Sequence, residues 1–99
     1  MVVRRSRPYL FRLVVPRRDY GRVRWVEEVI RAGRATLVEL KVHVLFKERS
    51  DLDAIEIVFI AKMTPEDRRR LERRLAESLR GSIGFFVSHP ARTSPRGRA

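Results

Sequence analysis

The side chains best equipped for chemistry in this sequence are its arginines. The stretch "RRSRPYLFRLVVPRR", residues 4–18, holds six of them and no acidic residue. A guanidinium group stays protonated and presents a planar fork of donors, so its chemistry is the binding of phosphate and carboxylate oxygens. Two groups stand out. Arg4, Arg5 and Arg7 form an N-terminal arm that pairs with Arg92, Arg96 and Arg98 in a C-terminal tail. Arg17, Arg18, Arg22 and Arg24 crowd the start of a predicted helix, where the dipole already presents positive charge. A helix start ringed by guanidinium groups suits a phosphate, through backbone N–H donors and bidentate contacts. These ten arginines are the expected nucleic-acid-binding residues. The run "RRRLERR" (68–74) is read differently. Glu66, Glu72 and Glu77 stand three or four residues from Arg70, Arg68 and Arg73, the spacing of ordinary surface pairs on a solvated helix. Arg31 and Arg34, near the end of the first helix, suit the dipole there.

Charge supports a polyanionic partner. The net charge is +11, with +6 over residues 1–18, −1 over residues 36–63 and +3 over residues 82–99. Asparagine and glutamine are absent, so the usual amide readers of adenine are missing and RNA is favoured over duplex DNA. The same absence, with twenty arginines against three lysines, points to a thermophile.

Other chemistry finds little support. Cysteine is absent, which excludes disulfides and thiolate sites. His43 and His89 are the only histidines, one on the wet face of a strand and one in a predicted loop. No carboxylate pair has acid–base spacing, so no catalytic residue, metal or cofactor is expected. "GRVRWV" (21–26) resembles the start of the acylphosphatase signature. That family's pattern continues to an arginine where this chain has Val29, and it needs an asparagine this chain lacks. "RGSIGFFVSH" (80–89) resembles the aromatic strand of the RNA-recognition-motif family, but only through an insertion and on the last strand. Neither likeness is carried over.

The elements that must position these residues follow from periodicity. "YLFRLVV" (9–15) reads as a strand ended by Pro16. Asp19 can cap a helix through Ala35, with Val23, Val26, Val29, Ile30 and Gly33 on one face, and Trp25 off that stripe is expected to pack half-buried. "TLVELKVHVLFK" (36–47) alternates, "ERSD" turns, and "DAIEIVFIAK" (53–62) returns. The next helix carries every local signal: Thr64 to cap it, Pro65 first, Glu66 and Asp67 in the opening turn, a Leu71–Leu75–Leu79 stripe and Gly81 to end it. "SIGFFVS" (82–88) is the last strand.

The order βαββαβ predicts an α+β, ferredoxin-like sandwich: a four-stranded antiparallel sheet in order 4-1-3-2 with both helices on one face. The division is a basic arm (1–8), one domain (9–88) and a basic tail (89–99). The expected core is Phe11, Leu13, Val15, Val38, Leu40, Val42, Ile55, Ile57, Phe59, Ile83, Phe85 and Val87. On the helix-free face, Leu10, Val14, Val58, Ile60 and Phe86 are expected to form an apolar patch that meets protein, most simply a second copy of the chain. No apolar run spans a membrane and "MVVRRSRP" lacks a signal-peptide core, so the expected setting is cytoplasmic with no membrane partner. The functional expectation is a non-enzymatic nucleic-acid-binding protein, RNA or a ribonucleoprotein component. The alternative is a dimeric protein-interaction or regulatory module with incidental basic tails.

Overall fold

A computed structural model describes residues 5–45 and 54–91. The elements are β1 (Arg7–Pro16), a 3-10 turn (Arg17–Asp19), α1 (Arg22–Ala32), β2 (Thr36–Leu45), β3 (Ala54–Met63), α2 (Pro65–Ser78) and β4 (Phe85–Pro90). The sheet is antiparallel throughout, in the order β2-β3-β1-β4, as the sequence predicts. The predicted turn at residues 48–51 lies outside the described residues.

Alternation along the two central strands builds the core. Tyr9, Phe11, Leu13 and Val15 from β1 and Ile55, Ile57, Phe59, Ala61 and Met63 from β3 are buried on one face. Phe11 and Phe59 are ladder partners, and their rings stack with centroids 5.0 Å apart. Val26 and Ile30 of α1, with Leu71, Leu75 and Leu79 along α2, close over that face and complete a single cluster. Both helices therefore cover the same side of the sheet. Thr64 caps α2 by accepting a hydrogen bond from the Asp67 N–H at 3.2 Å. Gly81 ends the turn after α2 at φ +79°, a backbone conformation that L side chains rarely adopt.

Three expectations are corrected. Val38 sits at a bulge, where the β2–β3 register shifts between Leu37 and Glu39, so it is exposed; Leu37, Leu40 and Val42 pack on the core instead. The last strand begins at Phe85 rather than Ser82, because Ser82–Gly84 form a turn in which the Ser82 hydroxyl accepts from the Gly84 N–H. Its inward side chains are Phe86 and Ser88, opposite Leu13 and Phe11. Ile83, Phe85 and Val87 are thus not core but 68%, 55% and 47% exposed. The strand continues to Pro90, so His89 belongs to β4 and not to a tail. Finally, α1 starts at Arg22 with Gly21 at its cap position; Asp19 makes a different contact, described below.

Candidate nucleic-acid interface

The predicted anion site at the start of α1 does not assemble as four free guanidinium groups. Arg22 turns back onto Asp19, with two nitrogens 2.9 and 3.0 Å from one carboxylate oxygen. It also donates to the Ser78 carbonyl at 3.5 Å, and its guanidinium lies 5.2 Å from the Trp25 ring centre. Its side chain is 15% exposed. Arg22 is a tie between the 3-10 turn, α1 and the end of α2. Arg17, Arg18 and Arg24 are exposed around it.

Arg68 is likewise structural, which overturns its reading as a solvated surface residue. It lies 4.6 Å over the buried Tyr9 ring and donates to the hydroxyl and the carbonyl of Ser88 at 3.1 and 3.2 Å. The Ser88 hydroxyl donates in turn to Glu72, and Glu72 stands 3.7 Å from Arg68, a predicted pair of this run that forms as expected. Arg70 pairs with Asp67 at 3.4 Å. Arg73 and Glu77 make no ion pair among the described residues, and neither do Arg69 and Arg74.

Of these, Arg74 meets other cations at one pole. The C-terminus of α1 and the N-terminal half of α2 border a cleft of about 330 Å³. Its floor is apolar, from Val29, Ile30, Met63 and Leu71, and Arg34, Arg70 and Arg74 stand around it with Asp67. Arg34 has no ion-pair partner among the described residues. The same pole holds the start of β1, with exposed Arg5 and Arg7, and the end of β3, with exposed Lys62. The Ala91 N–H donates to the Pro8 carbonyl at 3.0 Å, so the chain enters β1 and leaves β4 side by side, as predicted. Arg4, Arg92, Arg96 and Arg98 lie outside the described residues.

The cleft arginines escape sequence reading because their proximity is tertiary. Arg34 is separated in sequence from Arg70 and Arg74 by β2 and β3. The available signal was the helical spacing of Arg70 and Arg74, four apart on one face of α2. Of the predicted interface residues, Leu10, Val14, Val58 and Ile60 do lie on the helix-free face, whereas Phe86 points into the core. Phe85 and Val87 occupy that face in its place. Among the described residues no cluster of His, Asp or Glu is placed to hold a metal ion, and no helix is long and apolar enough to cross a membrane.

No protein-family model matches the sequence, and no curated protein does. Solved structures do match in shape. The chain superposes on an unknown protein from Galdieria sulphuraria with a TM-score of 0.75 at 15% identity, covering 93% of this chain and 54% of that one. It superposes on the C-terminal domain of the MgtC protein from Mycobacterium tuberculosis with a TM-score of 0.66 at 16% identity, covering 98% and 99%. The fold is ferredoxin-like. A formyltetrahydrofolate deformylase from Burkholderia mallei contains a similar unit, with a TM-score of 0.57 at 18% identity over 83% of this chain and 27% of the enzyme. At these identities the likeness concerns the fold alone, which hosts many unrelated functions.

Proposed function

We propose that the protein is a non-catalytic nucleic-acid-binding protein that holds the phosphate backbone of RNA at its basic pole. The observation that carries this reading is the cleft in which Arg34, Arg70 and Arg74 surround an apolar floor, beside the place where both terminal segments join the body. Arginine is the side chain suited to bidentate phosphate contact, and its planar group also stacks on unpaired bases. The side chains beneath the three arginines, Ile30, Met63 and Leu71, are buried, so an unpaired base would rest on the guanidinium planes, and a duplex offers none without flipping. Single-stranded or looped RNA fits better than double-stranded DNA, because the chain has no Asn or Gln to read adenine in a major groove. The terminal arginines Arg4, Arg5, Arg7, Arg92, Arg96 and Arg98 extend the same electrostatic footprint. A ribonucleoprotein and a cytoplasmic setting are consistent with this role.

The test is fluorescence anisotropy of a labelled single-stranded RNA against the wild-type chain and an Arg34→Ser/Arg70→Ser/Arg74→Ser variant. The expected result is binding that weakens at least about tenfold in the variant at low salt, with the fold unchanged by circular dichroism. Absence of binding by the wild-type chain, or equal binding by both, would overturn the reading.

A further inference from the structure

The helix-free face of the sheet forms a regular grid. One row, from β4 to β2, reads His89, Leu10, Ile60 and Glu39; the next reads Val87, Arg12, Val58 and Lys41; the third reads Phe85, Val14, Glu56 and His43. Six of the twelve are large and apolar, and they run together through β4, β1 and β3. Phe85 and Val87 are 55% and 47% exposed.

Charge separates this face from the rest of the molecule. In these three rows two cations and two carboxylates answer one another: Arg12 lies 3.1 Å from Glu56 and Lys41 lies 3.7 Å from Glu39. The rows are therefore neutral, counting histidine as neutral, on a chain whose net charge is +11, and the next row of the face adds a single cation, Lys62, between Pro8 and Thr36. A polyanion gains least here, and five of the six apolar side chains are aliphatic, which pack on protein better than on bases. Neutral apolar ground is also the one region where two strongly basic copies can meet without opposed charges across the contact.

We infer that this face packs against a second copy of the same chain across a two-fold axis. Mixed charges in nearby pairs are what a self-complementary contact needs, since each Arg12 and Glu56 keeps an opposite charge within reach of its counterpart. Aligned packing of two twisted sheets provides the geometry. Four strands about 4.8 Å apart and roughly 30 Å long give on the order of 500 Å² per copy, or about 1,000 Å² for the pair. That is the lower end of a specific interface, so a micromolar dimer is expected rather than an obligate one.

Sedimentation of the full chain without RNA, from about 1 µM to about 500 µM, tests this. The expected result is a monomer–dimer equilibrium whose dissociation constant rises at least about 30-fold in Val58→Asp, which places facing carboxylates in a dry contact. Phe85→Ser, at a half-exposed position on an edge strand, is expected to raise it about tenfold with the fold intact by circular dichroism. Should Val58→Asp fail to fold, Phe85→Ser decides. A wild-type chain that stays monomeric over the whole range, as a partner of another kind would require, overturns the inference. So does a dimer that Phe85→Ser leaves unaffected. Neither result bears on RNA binding at the opposite side of the molecule.

Discussion

Arg22 and Asp19 stand three residues apart, and the guanidinium group closes on the carboxylate at 2.9 Å while remaining mostly shielded from water. The pair fixes the approach to α1, and Arg22 continues to the Ser78 carbonyl at the end of α2. Arg22→Ala is therefore expected to destabilise the fold by about 1–2 kcal/mol, the range of a charge-assisted hydrogen bond on a partly shielded group. In a chain of this size that is a melting temperature lower by roughly 4–15 °C. Arg18→Ala, on the exposed side of the same turn, should stay within about 0.5 kcal/mol of wild type. Thermal melts of the two variants check the contrast.

Ser88 is a small polar residue facing inward among apolar neighbours, and its hydroxyl joins Arg68 of α2 to Glu72 of the same helix. Ser88→Ala removes that bridge and leaves Arg68 with the backbone carbonyl of residue 88, the Tyr9 ring and the longer 3.7 Å approach to Glu72. The expected cost is about 1–2 kcal/mol in a denaturant titration. RNA affinity should not change, because Arg68 is engaged in the fold and not offered to a ligand.

Gly84 and Gly81 are constrained for different reasons. A Cβ on Gly84 would lie 3.0 Å from the Val14 carbonyl oxygen, 3.1 Å from Val15 Cγ1 and 3.2 Å from Leu79 Cδ2. Gly81 has open space but sits at φ +79°. Gly84→Ala is expected to cost about 1–3 kcal/mol through crowding, and Gly81→Ala about 1–2 kcal/mol through backbone strain alone. Repacking at a neighbouring position distinguishes them: adding Val15→Ala should recover part of the loss in Gly84→Ala and none in Gly81→Ala.

Much of this architecture is legible in the sequence where the signals are local. The α2 helix follows from Thr64, Pro65 and the leucine stripe, the central strands follow from their apolar and β-branched patterns, and the order of the sheet follows from the βαββαβ succession with right-handed crossovers. The last strand misleads because Phe85 and Phe86 are adjacent, so either parity buries an aromatic ring. The deciding fact is the tertiary demand of Arg68 and Glu72 for the Ser88 hydroxyl. Val38 misleads because a one-residue bulge leaves no trace in the hydrophobic pattern. At the candidate site, the pairing of Arg22 with Asp19 lies within one turn and was open to sequence reasoning. The meeting of Arg34 with Arg70 and Arg74 depends on how the two helices end over the sheet.

Salt should move the two proposed contacts in opposite directions. Copies that each carry +11 repel one another beyond their neutral contact face, and added salt screens that repulsion. Dimerisation is expected to strengthen several-fold between about 50 mM and about 300 mM salt, as the Debye length falls from about 14 Å to about 6 Å, while RNA binding weakens. Sedimentation and anisotropy in the same buffers measure both trends, and parallel trends would contradict the separation of the two faces.

If Arg34, Arg70 and Arg74 neutralise phosphates, the salt dependence of RNA affinity must register each of them. The logarithm of the binding constant should fall linearly with the logarithm of salt concentration, by about 0.7 for each phosphate neutralised on a single strand. The Arg34→Ser/Arg70→Ser/Arg74→Ser variant is expected to show a slope shallower than wild type by about 2. Identical slopes in the two proteins would mean that these three arginines touch no phosphate.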